Sequence, residues 1–220
     1  MVDSVTIAWS GGEVSGRLTG DGPNGILLAH GAGVDQGHSF IVLLRDALAG
    51  DGHTVMTFNY PYTERGSRSP DRVEKLIECH RGAAEFLRPQ VETLFLAGRS
   101  MGGRIATLLV AEGDQAAGVV LYAYPLHPAG KPEKLRIDHL PNVTVPLLFF
   151  LGTKDALSRR ELFDEHIGPL PNAEVDVLDG AGHSPKGGGW TYESTVERLV
   201  DGTSAWIARI SSGSSNLQKP

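Results

Sequence analysis

The sequence has one cysteine, little excess charge and no long hydrophobic run. The single Cys79 excludes an intramolecular disulfide and a cysteine-based zinc site. Twenty basic and twenty-six acidic residues give a net charge of -6, so the composition lacks the excess of positive charge expected for binding nucleic acid or anionic lipid. The longest strongly apolar run, residues 147–151, has the length of a buried strand and is far too short for a membrane span.

Targeting and metal-binding signals are also missing. Residues 1–5 contain neither a charged segment nor an apolar core, so we expect no signal peptide and a cytoplasmic location. The eight histidines show no H-x-x-x-H spacing, and no Gly-rich phosphate-binding motif is present. We therefore expect no metal and no other cofactor, and a small-molecule partner rather than nucleic acid or a membrane. The sequence leaves the oligomeric state open.

The length of the chain favours one domain. Its 220 residues, 40% of them hydrophobic, are enough for a sizeable core and too few for two comfortable domains. We expect a single domain over residues 1–210. The polar segment 211–220 is expected to be a flexible tail.

Short apolar runs alternate with amphipathic segments along the chain. Strands separated by helix-length segments predict a mostly parallel sheet with helices on both faces. Eight strands are expected, the first two as an edge hairpin: residues 5–9, 14–18, 26–29, 55–58, 94–97, 119–122, 147–151 and 175–178. The expected helices cover residues 39–49, a segment starting at 70, and residues 101–111, 161–166 and 192–210.

The clearest functional signal is residues 98–103, which read G-R-S-M-G-G. They follow the fifth predicted strand and begin a predicted helix. A G-x-S-x-G motif in this context indicates a nucleophile elbow, in which glycines avoid collisions with the neighbouring backbone. The elbow places Ser100 at a helix N-terminus, where free N–H groups favour a developing negative charge. The alternative interpretation is a Gly-rich turn without chemistry.

A serine nucleophile needs a base, and the base needs an orienting acid. For this topology the expected chain order is Ser, then Asp or Glu, then His. Asp155 follows the seventh predicted strand and His183 follows the eighth. We therefore predict a catalytic triad of Ser100, His183 and Asp155. Asp176 and Asp179 are alternative acids, but they are too close in sequence to His183 for the usual arrangement.

Acyl transfer also needs hydrogen-bond donors for the oxyanion of the tetrahedral intermediate. One donor is expected to be the backbone N–H of Met101, the residue after the nucleophile. The segment after the third predicted strand reads H-G-A-G, and we assign the second donor to Ala32. Gly33 is expected to contact the substrate. His30 is interpreted as a structural residue that fixes this loop.

From residue 14 to residue 210 the chain resembles the α/β-hydrolase superfamily. It looks most like the uncapped dienelactone-hydrolase-like group. Segments 58–62, 128–133 and 152–155 are similar to its testis-expressed and NSL-complex-subunit-3-like branch. The resemblance implies the α/β-hydrolase fold and a serine hydrolase with the triad above. Dienelactone hydrolases carry Cys where this chain has Ser100, so their lactone specificity is not carried over.

Two long loops, residues 59–69 and 123–144, leave the carboxyl ends of predicted strands, where open α/β sheets bind ligands. We expect Tyr60 from the first loop, and Tyr124 and His127 from the second, to contact the substrate. Their positions near the expected pocket support this assignment, although packing within the loops is an equally good explanation.

The substrate class follows from the shortness of the second loop. Its 22 residues include four prolines, which disfavour a continuous helix. We expect no cap domain, at most a short helix near residues 133–137, and a shallow pocket for small or water-soluble carboxylic esters. Two alternatives stay open: thioester or amide hydrolysis with the same triad, and a catalytically silent protein that uses this fold for interaction.

Overall fold

An eight-stranded sheet forms the centre of the molecule in the computed structural model, which describes residues 1–215. The strands lie in the order β1-β2-β4-β3-β5-β6-β7-β8, and those from β3 to β8 are parallel to one another. Their bounds are β1 (Val2–Trp9), β2 (Gly12–Thr19), β3 (Asn24–Ala29), β4 (Thr54–Phe58), β5 (Thr93–Arg99), β6 (Gly118–Tyr122), β7 (Leu147–Gly152) and β8 (Ala173–Leu178).

Helices cover both faces of the sheet. They are α1 (Ser39–Gly50), α2 (Pro61–Glu64), α3 (Val73–Leu87), α4 (Met101–Ala111), α5 (Arg160–His166) and α6 (Tyr192–Ser215). The side chains of β3 show how the core is divided, because Ile26 and Leu28 pack on the side of α1 and α6, whereas Leu27 packs on the side of α3 and α4. Such strands, buried on both faces, give the continuous apolar runs seen in the sequence.

The predicted fold class is confirmed: this is an α/β-hydrolase fold, and the first two strands form the expected edge hairpin. The sequence allowed at most a short helix near residues 133–137, and none forms there. Residues 133–137 form turns, and the only helical turn in that part of the described chain is a 3-10 segment at Leu140–Asn142. Backbone bonds from Lys131 to Pro128 and from Lys134 to Lys131 close separate turns there, so no continuous helix forms.

The helix bounds differ from the sequence prediction at three places. Short helix α2 lies inside the predicted loop 59–69, with Pro61 in its first turn, where a missing N–H costs nothing. Helix α3 begins at Val73 rather than 70, and Asp71 lies before it, paired with Arg65. Helix α6 continues past residue 210 to Ser215. The rest of the predicted tail, residues 216–220, lies outside the described residues.

The carboxyl ends of the parallel strands meet at one edge of the sheet. Because β5 lies between β3 and β6, the turn after β5 is flanked by the loops that follow these two strands. The loops after β7 and β8 open at the same edge. No helix in the described part of the chain is long and apolar enough to cross a membrane.

Candidate active site

Ser100 lies in the turn between β5 and α4 with a strained backbone. Its φ is 51° and its ψ is -115°, a conformation that residues with side chains rarely adopt. Its N–H donates to the carbonyl oxygen of Tyr122 on the neighbouring strand at 2.9 Å, which holds the turn against the sheet. The serine is 9% exposed, so it is enclosed by protein on most sides and open at one.

Two glycines make this turn possible. A Cβ on Gly98 would lie 2.3 Å from backbone atoms of Gly102 and Gly103, and one on Gly102 would lie 2.6 Å from the carbonyl oxygen of Ala29. Neither distance can be relieved by moving a side chain, because the obstructing atoms are backbone. The collisions expected from the G-x-S-x-G motif are therefore present in the fold.

Three predicted site residues lie in a hydrogen-bonded chain. The Ser100 hydroxyl is 2.9 Å from Nε2 of His183, and Nδ1 of the same ring is 2.9 Å from Oδ2 of Asp155. The carboxylate can only accept, so Nδ1 carries the proton and Nε2 is free to accept from the serine. The Asp155 side chain is fully buried, whereas that of His183 is 23% exposed. The base is therefore accessible from solvent and the acid is not.

The loops that carry the acid and the histidine are joined directly. The N–H of Lys154 donates to the carbonyl oxygen of Ala181 at 2.8 Å. The Thr153 hydroxyl accepts from the N–H of Gly180 at 2.8 Å. A Cβ on Gly152 would lie 2.5 Å from the Ala181 carbonyl oxygen, so glycine permits this close approach. Asp155 is thereby fixed relative to the base.

The two alternative acids have other partners. Asp176 accepts from the guanidinium of Arg198 at 2.6 Å. Asp179 accepts from the hydroxyl of Thr153 at 3.1 Å. Of the three candidates, the structure brings only Asp155 against the His183 ring.

A half-buried arginine that the sequence analysis did not select contacts the same histidine loop. Nη2 of Arg99 donates to the carbonyl oxygen of His183 at 3.1 Å, and the guanidinium lies 6.0 Å from the ring centre of Phe40. Burial lowers the pKa of this guanidinium. The only sequence signal for Arg99 was its place inside the elbow motif.

Two backbone N–H groups are available at the elbow. Those of Met101 and Ala32, the predicted oxyanion donors, have no acceptor among residues 1–215. The loop after β3 passes close to the nucleophile, since a Cβ on Gly31 would lie 3.6 Å from that of Ser100. Ala32 and Gly33 are exposed beyond this point.

His30 is buried and holds this loop in place. Its Nδ1 donates to the carbonyl oxygen of Gly31 at 2.8 Å, and its Nε2 accepts from the N–H of Tyr60 at 3.3 Å. Burial lowers the pKa of His30 to about 4, so the ring is neutral at physiological pH. Its contacts are those of a structural residue.

Of the predicted substrate contacts, only Gly33 lies on an open surface. It lines a groove of about 310 Å³ together with His38, Thr63 and Arg68. A positive φ of 76° at Gly33 lets the loop turn there.

The other three predicted contacts are turned into the interior. The Tyr60 hydroxyl is 3.1 Å from Nδ1 of His80, and the Tyr124 hydroxyl donates to the carbonyl oxygen of Arg136 at 2.6 Å. His127 is 1% exposed and accepts from the N–H of Arg159 at 3.4 Å. All three have buried roles in loop packing, and the structure does not bring them to the exposed side of Ser100.

In the part of the chain that the structure describes, no three or more His, Cys, Asp or Glu side chains are grouped so that they could hold an ion.

Comparison with known proteins agrees with this fold. The family described as alpha/beta hydrolase domain matches residues 23–208. Est1E from Butyrivibrio proteoclasticus superposes with a TM-score of 0.74 at 15% identity, covering 93% of this chain and 99% of that one. XC6422 from Xanthomonas campestris, described as an a/b serine hydrolase without lid, gives 0.72 at 17% identity, covering 93% and 94%. An esterase of Pyrococcus furiosus gives 0.71 at 17% identity, covering 96% and 89%.

Proposed function

We propose, from the premise that the chain belongs to the alpha/beta hydrolase domain family, that it is a cofactor-free serine hydrolase acting on carboxylic esters. The observation that carries the proposal is the chain of two 2.9 Å contacts from Ser100 through His183 to Asp155. A fold alone does not define an activity, and a protein used only for interaction would have no need of this arrangement.

The first half of the proposed reaction forms an acyl-enzyme. The Ser100 oxygen attacks the ester carbonyl carbon while its proton passes to Nε2 of His183. Asp155 keeps Nδ1 protonated and stabilises the imidazolium that forms. The N–H groups of Ala32 and Met101 bind the oxyanion. When the intermediate collapses, the bond to the alcohol oxygen breaks, and His183 returns the proton to the departing alcohol.

The second half repeats these steps with water. His183 takes a proton from a water molecule, whose oxygen attacks the acyl carbon attached to Ser100. The bond to the serine oxygen then breaks, and His183 returns the proton to it. The exposed edge of the His183 ring gives water access to the base. The products are a carboxylic acid, an alcohol and the original enzyme.

The proposed substrates are small or water-soluble esters met in the cytoplasm. The connection from β6 to β7 contains no inserted helical cap, only turns and the 3-10 segment at Leu140–Asn142. Without a cap, little apolar surface is available to bury a long acyl chain. Thioesters and amides, which the same triad would hydrolyse by the same steps, are the alternative substrate classes.

A series of p-nitrophenyl esters from acetate to palmitate tests this proposal. We expect kcat/KM to be highest at short acyl lengths, with no jump in rate at the micelle concentration of the longer esters. Turnover that rises steadily through palmitate would contradict the proposed substrate class. No turnover of any ester, thioester or anilide would favour a non-catalytic use of the fold.

A further inference from the structure

We propose that the groove between the loop after β3 and the loop after β4 binds a hydroxyl-rich part of the ester substrate. Arg68 and His38 donate hydrogen bonds to its hydroxyl oxygens, and Asp35 accepts from its hydroxyl protons. The inference rests on the proposed hydrolase function and narrows its substrate class to esters with hydroxyl groups near the reacting carbonyl.

The groove begins beside the proposed nucleophile. Gly33, which lines it, directly follows Ala32, whose N–H is the proposed second oxyanion donor. Successive Cα atoms are only about 3.8 Å apart. The same loop passes close to Ser100, since a Cβ on Gly31 would lie 3.6 Å from the Ser100 Cβ. An ester whose carbonyl oxygen accepts from Ala32 therefore has a substituent within reach of the groove.

The far wall of the groove is fastened to this same loop. The N–H of Tyr60 donates to Nε2 of His30 at 3.3 Å. The Tyr62 hydroxyl donates to the carbonyl oxygen of Gly31 at 3.4 Å. The N–H of Ser67 in turn donates to the carbonyl oxygen of Tyr62 at 2.9 Å. These bonds hold the two walls at a fixed separation, as in the preformed sites that bind small molecules.

The hydroxyl protons of the far wall are already used within its own backbone. The Thr63 hydroxyl donates to the carbonyl oxygen of Tyr60 at 2.8 Å. The Ser67 hydroxyl donates to the carbonyl oxygen of Ser69 at 3.3 Å and accepts from the Ser69 N–H at 3.1 Å. Thr63 and Ser67 line the groove. Donors for a ligand must therefore come from other side chains.

Arg68 supplies a charged donor. Its side chain is exposed and lines the groove. Among residues 1–215 it has no ion pair and no hydrogen-bond acceptor, whereas Arg65 of the same loop pairs with Asp71 at 2.7 Å. The Arg68 guanidinium is therefore free to bind a group that enters the groove.

His38 supplies a neutral donor on the other wall. Its Nδ1 accepts from the N–H of Phe40 at 3.3 Å. Burial and the charge of Arg99 outweigh the charge of Asp35 and lower the pKa of His38, so the ring is neutral at pH 7. With Nδ1 accepting, the proton of the neutral ring is on Nε2. No group within residues 1–215 accepts it.

Asp35 supplies the acceptor. Its Oδ1 accepts from the N–H of Gly37 at 2.9 Å, and its carbonyl oxygen accepts from the N–H of His38 at 3.2 Å, so this turn is fixed. Nothing in the described part of the chain donates to its Oδ2, and Arg68 forms no ion pair with it. The groove thus presents a carboxylate and a guanidinium that do not pair with each other.

A hydroxyl group matches these side chains because it can both donate and accept. A carboxylate or phosphate would be repelled by Asp35, and an ammonium group by Arg68. A hydrocarbon chain would exclude water without replacing its hydrogen bonds. The groove volume of about 310 Å³ is at the lower end of the range of about 300–1,000 Å³ for small-molecule sites. A short polyol or a single sugar unit is the ligand class that fits best.

Two matched pairs of esters test this inference. Glycerol 1-acetate and propyl acetate differ only in the hydroxyl groups of the alcohol part. Propyl 2,3-dihydroxypropanoate and propyl propanoate differ only in those of the acyl part. Titration of the released acid gives kcat/KM, which is divided by the rate of alkaline hydrolysis to remove intrinsic reactivity. We expect wild type to prefer the hydroxylated member of at least one pair by about tenfold, and that pair identifies the part in the groove. No preference in either pair would overturn the inference.

Substitutions in the groove should remove the preference. In Arg68→Leu and in Asp35→Asn, the corrected ratio for the hydroxylated ester should fall about tenfold, the value of a lost charged hydrogen bond. Asparagine can still accept from Gly37, so the turn is kept, but its Nδ2 replaces the free acceptor Oδ2. Arg68→Lys should restore part of the ratio. An unchanged ratio in both Arg68→Leu and Asp35→Asn would contradict the proposed contacts.

The control is Arg65→Leu, which removes a positive charge from the same loop. Arg65 is exposed and lies outside the groove, and its partner Asp71 also pairs with Lys75 at 3.4 Å. The ratio should be unchanged in this variant. A drop equal to that of Arg68→Leu would show a general charge effect and overturn the inference.

Binding to the Ser100→Ala variant separates this inference from the proposed function. By calorimetry, the hydroxylated member of the preferred pair should bind about tenfold more tightly than its partner, and adding Arg68→Leu should abolish the difference. If both members bind equally in every pair, the groove site is refuted even when wild type hydrolyses them all. If a hydroxylated ester binds selectively but wild type cleaves none of the four, the hydrolase proposal fails and the groove site stands.

Discussion

Arg99 donates from Nη2 to the carbonyl oxygen of His183 at 3.1 Å, across 84 residues of sequence. Since Arg99 directly precedes Ser100, this bond joins the turn that carries the proposed nucleophile to the loop that carries the proposed base. The bond is to the backbone and leaves both ring nitrogens of His183 free for the triad. Arg99 is therefore a positioning residue in our account.

Replacing Arg99 by leucine should lower kcat by about 10- to 100-fold, the scale expected when a reacting group is misplaced by about 1 Å. KM should change little, because Arg99 contacts the base loop rather than the substrate. Arg99→Lys should recover part of kcat by donating to the same carbonyl. An unchanged kcat in Arg99→Leu, measured with p-nitrophenyl acetate, would show that the bond does not position His183.

Asp155→Asn should reduce kcat by about 10⁴-fold while the protein stays folded. The carboxylate only accepts hydrogen bonds, and it keeps the proton on Nδ1 of His183. An asparagine amide can donate to Nδ1 and so favours the tautomer in which Nε2 can no longer accept from Ser100. Steady-state kinetics measures the loss and circular dichroism checks the fold. A loss below tenfold would assign the acid role to another residue.

Gly98→Ala should lower the free energy of unfolding by about 3 kcal/mol or more, the upper range for overpacking. The added Cβ would lie 2.3 Å from backbone atoms of Gly102 and Gly103. The matched control is Gly50→Ala at the end of α1, where a Cβ meets nothing within 4 Å and alanine favours the helix. Urea unfolding should show a large loss for the first variant and no loss for the second.

The free energy of unfolding should decrease as pH is lowered, because two buried histidines resist protonation. Burial lowers the pKa of His30 to about 4, and burial together with His30 lowers that of His80 to about 3. A histidine in the unfolded chain binds a proton near pH 6.5. Between pH 6.5 and about 4 the unfolded state therefore holds protons that the folded state lacks. The free energy of unfolding is fully retained above this window and should decrease as pH is lowered through it.

Urea unfolding at several pH values between 7.5 and 4.5 measures this slope. His80→Gln should be less stable than wild type at pH 7.5, because it loses the contact with Tyr60, but its stability should fall less steeply with acid. His166→Gln, which removes a partly exposed histidine, is the control. A slope in His80→Gln as steep as that of wild type would contradict the assignment.

The fold and the positions of Ser100, His183 and Asp155 were predictable because both depend on local patterns. Apolar runs marked the strands, and strand ends in a parallel sheet meet at one edge. A serine, an aspartate and a histidine that each follow a strand are therefore close in space. The motif alone predicts that the elbow needs glycines, because side chains there would collide with the neighbouring backbone.

The less predictable features depend on contacts between distant segments. Tyr60, Tyr124 and His127 occupy loops beside the site, and only the structure reveals that each side chain is turned into the interior. The bond from Arg99 to His183 connects two segments that no sequence spacing relates. Side-chain direction in such loops is set by tertiary packing, which has no local sequence signal.

The most direct test of the central claim is labelling with a fluorophosphonate probe, read by intact mass and peptide mapping. This reagent forms a covalent bond with a serine only where a base activates it. We predict one adduct on wild type, located on Ser100, and none on Ser100→Ala. Labelling of another residue, or none on a wild-type protein shown to be folded, would contradict the assignment of Ser100 as the activated nucleophile.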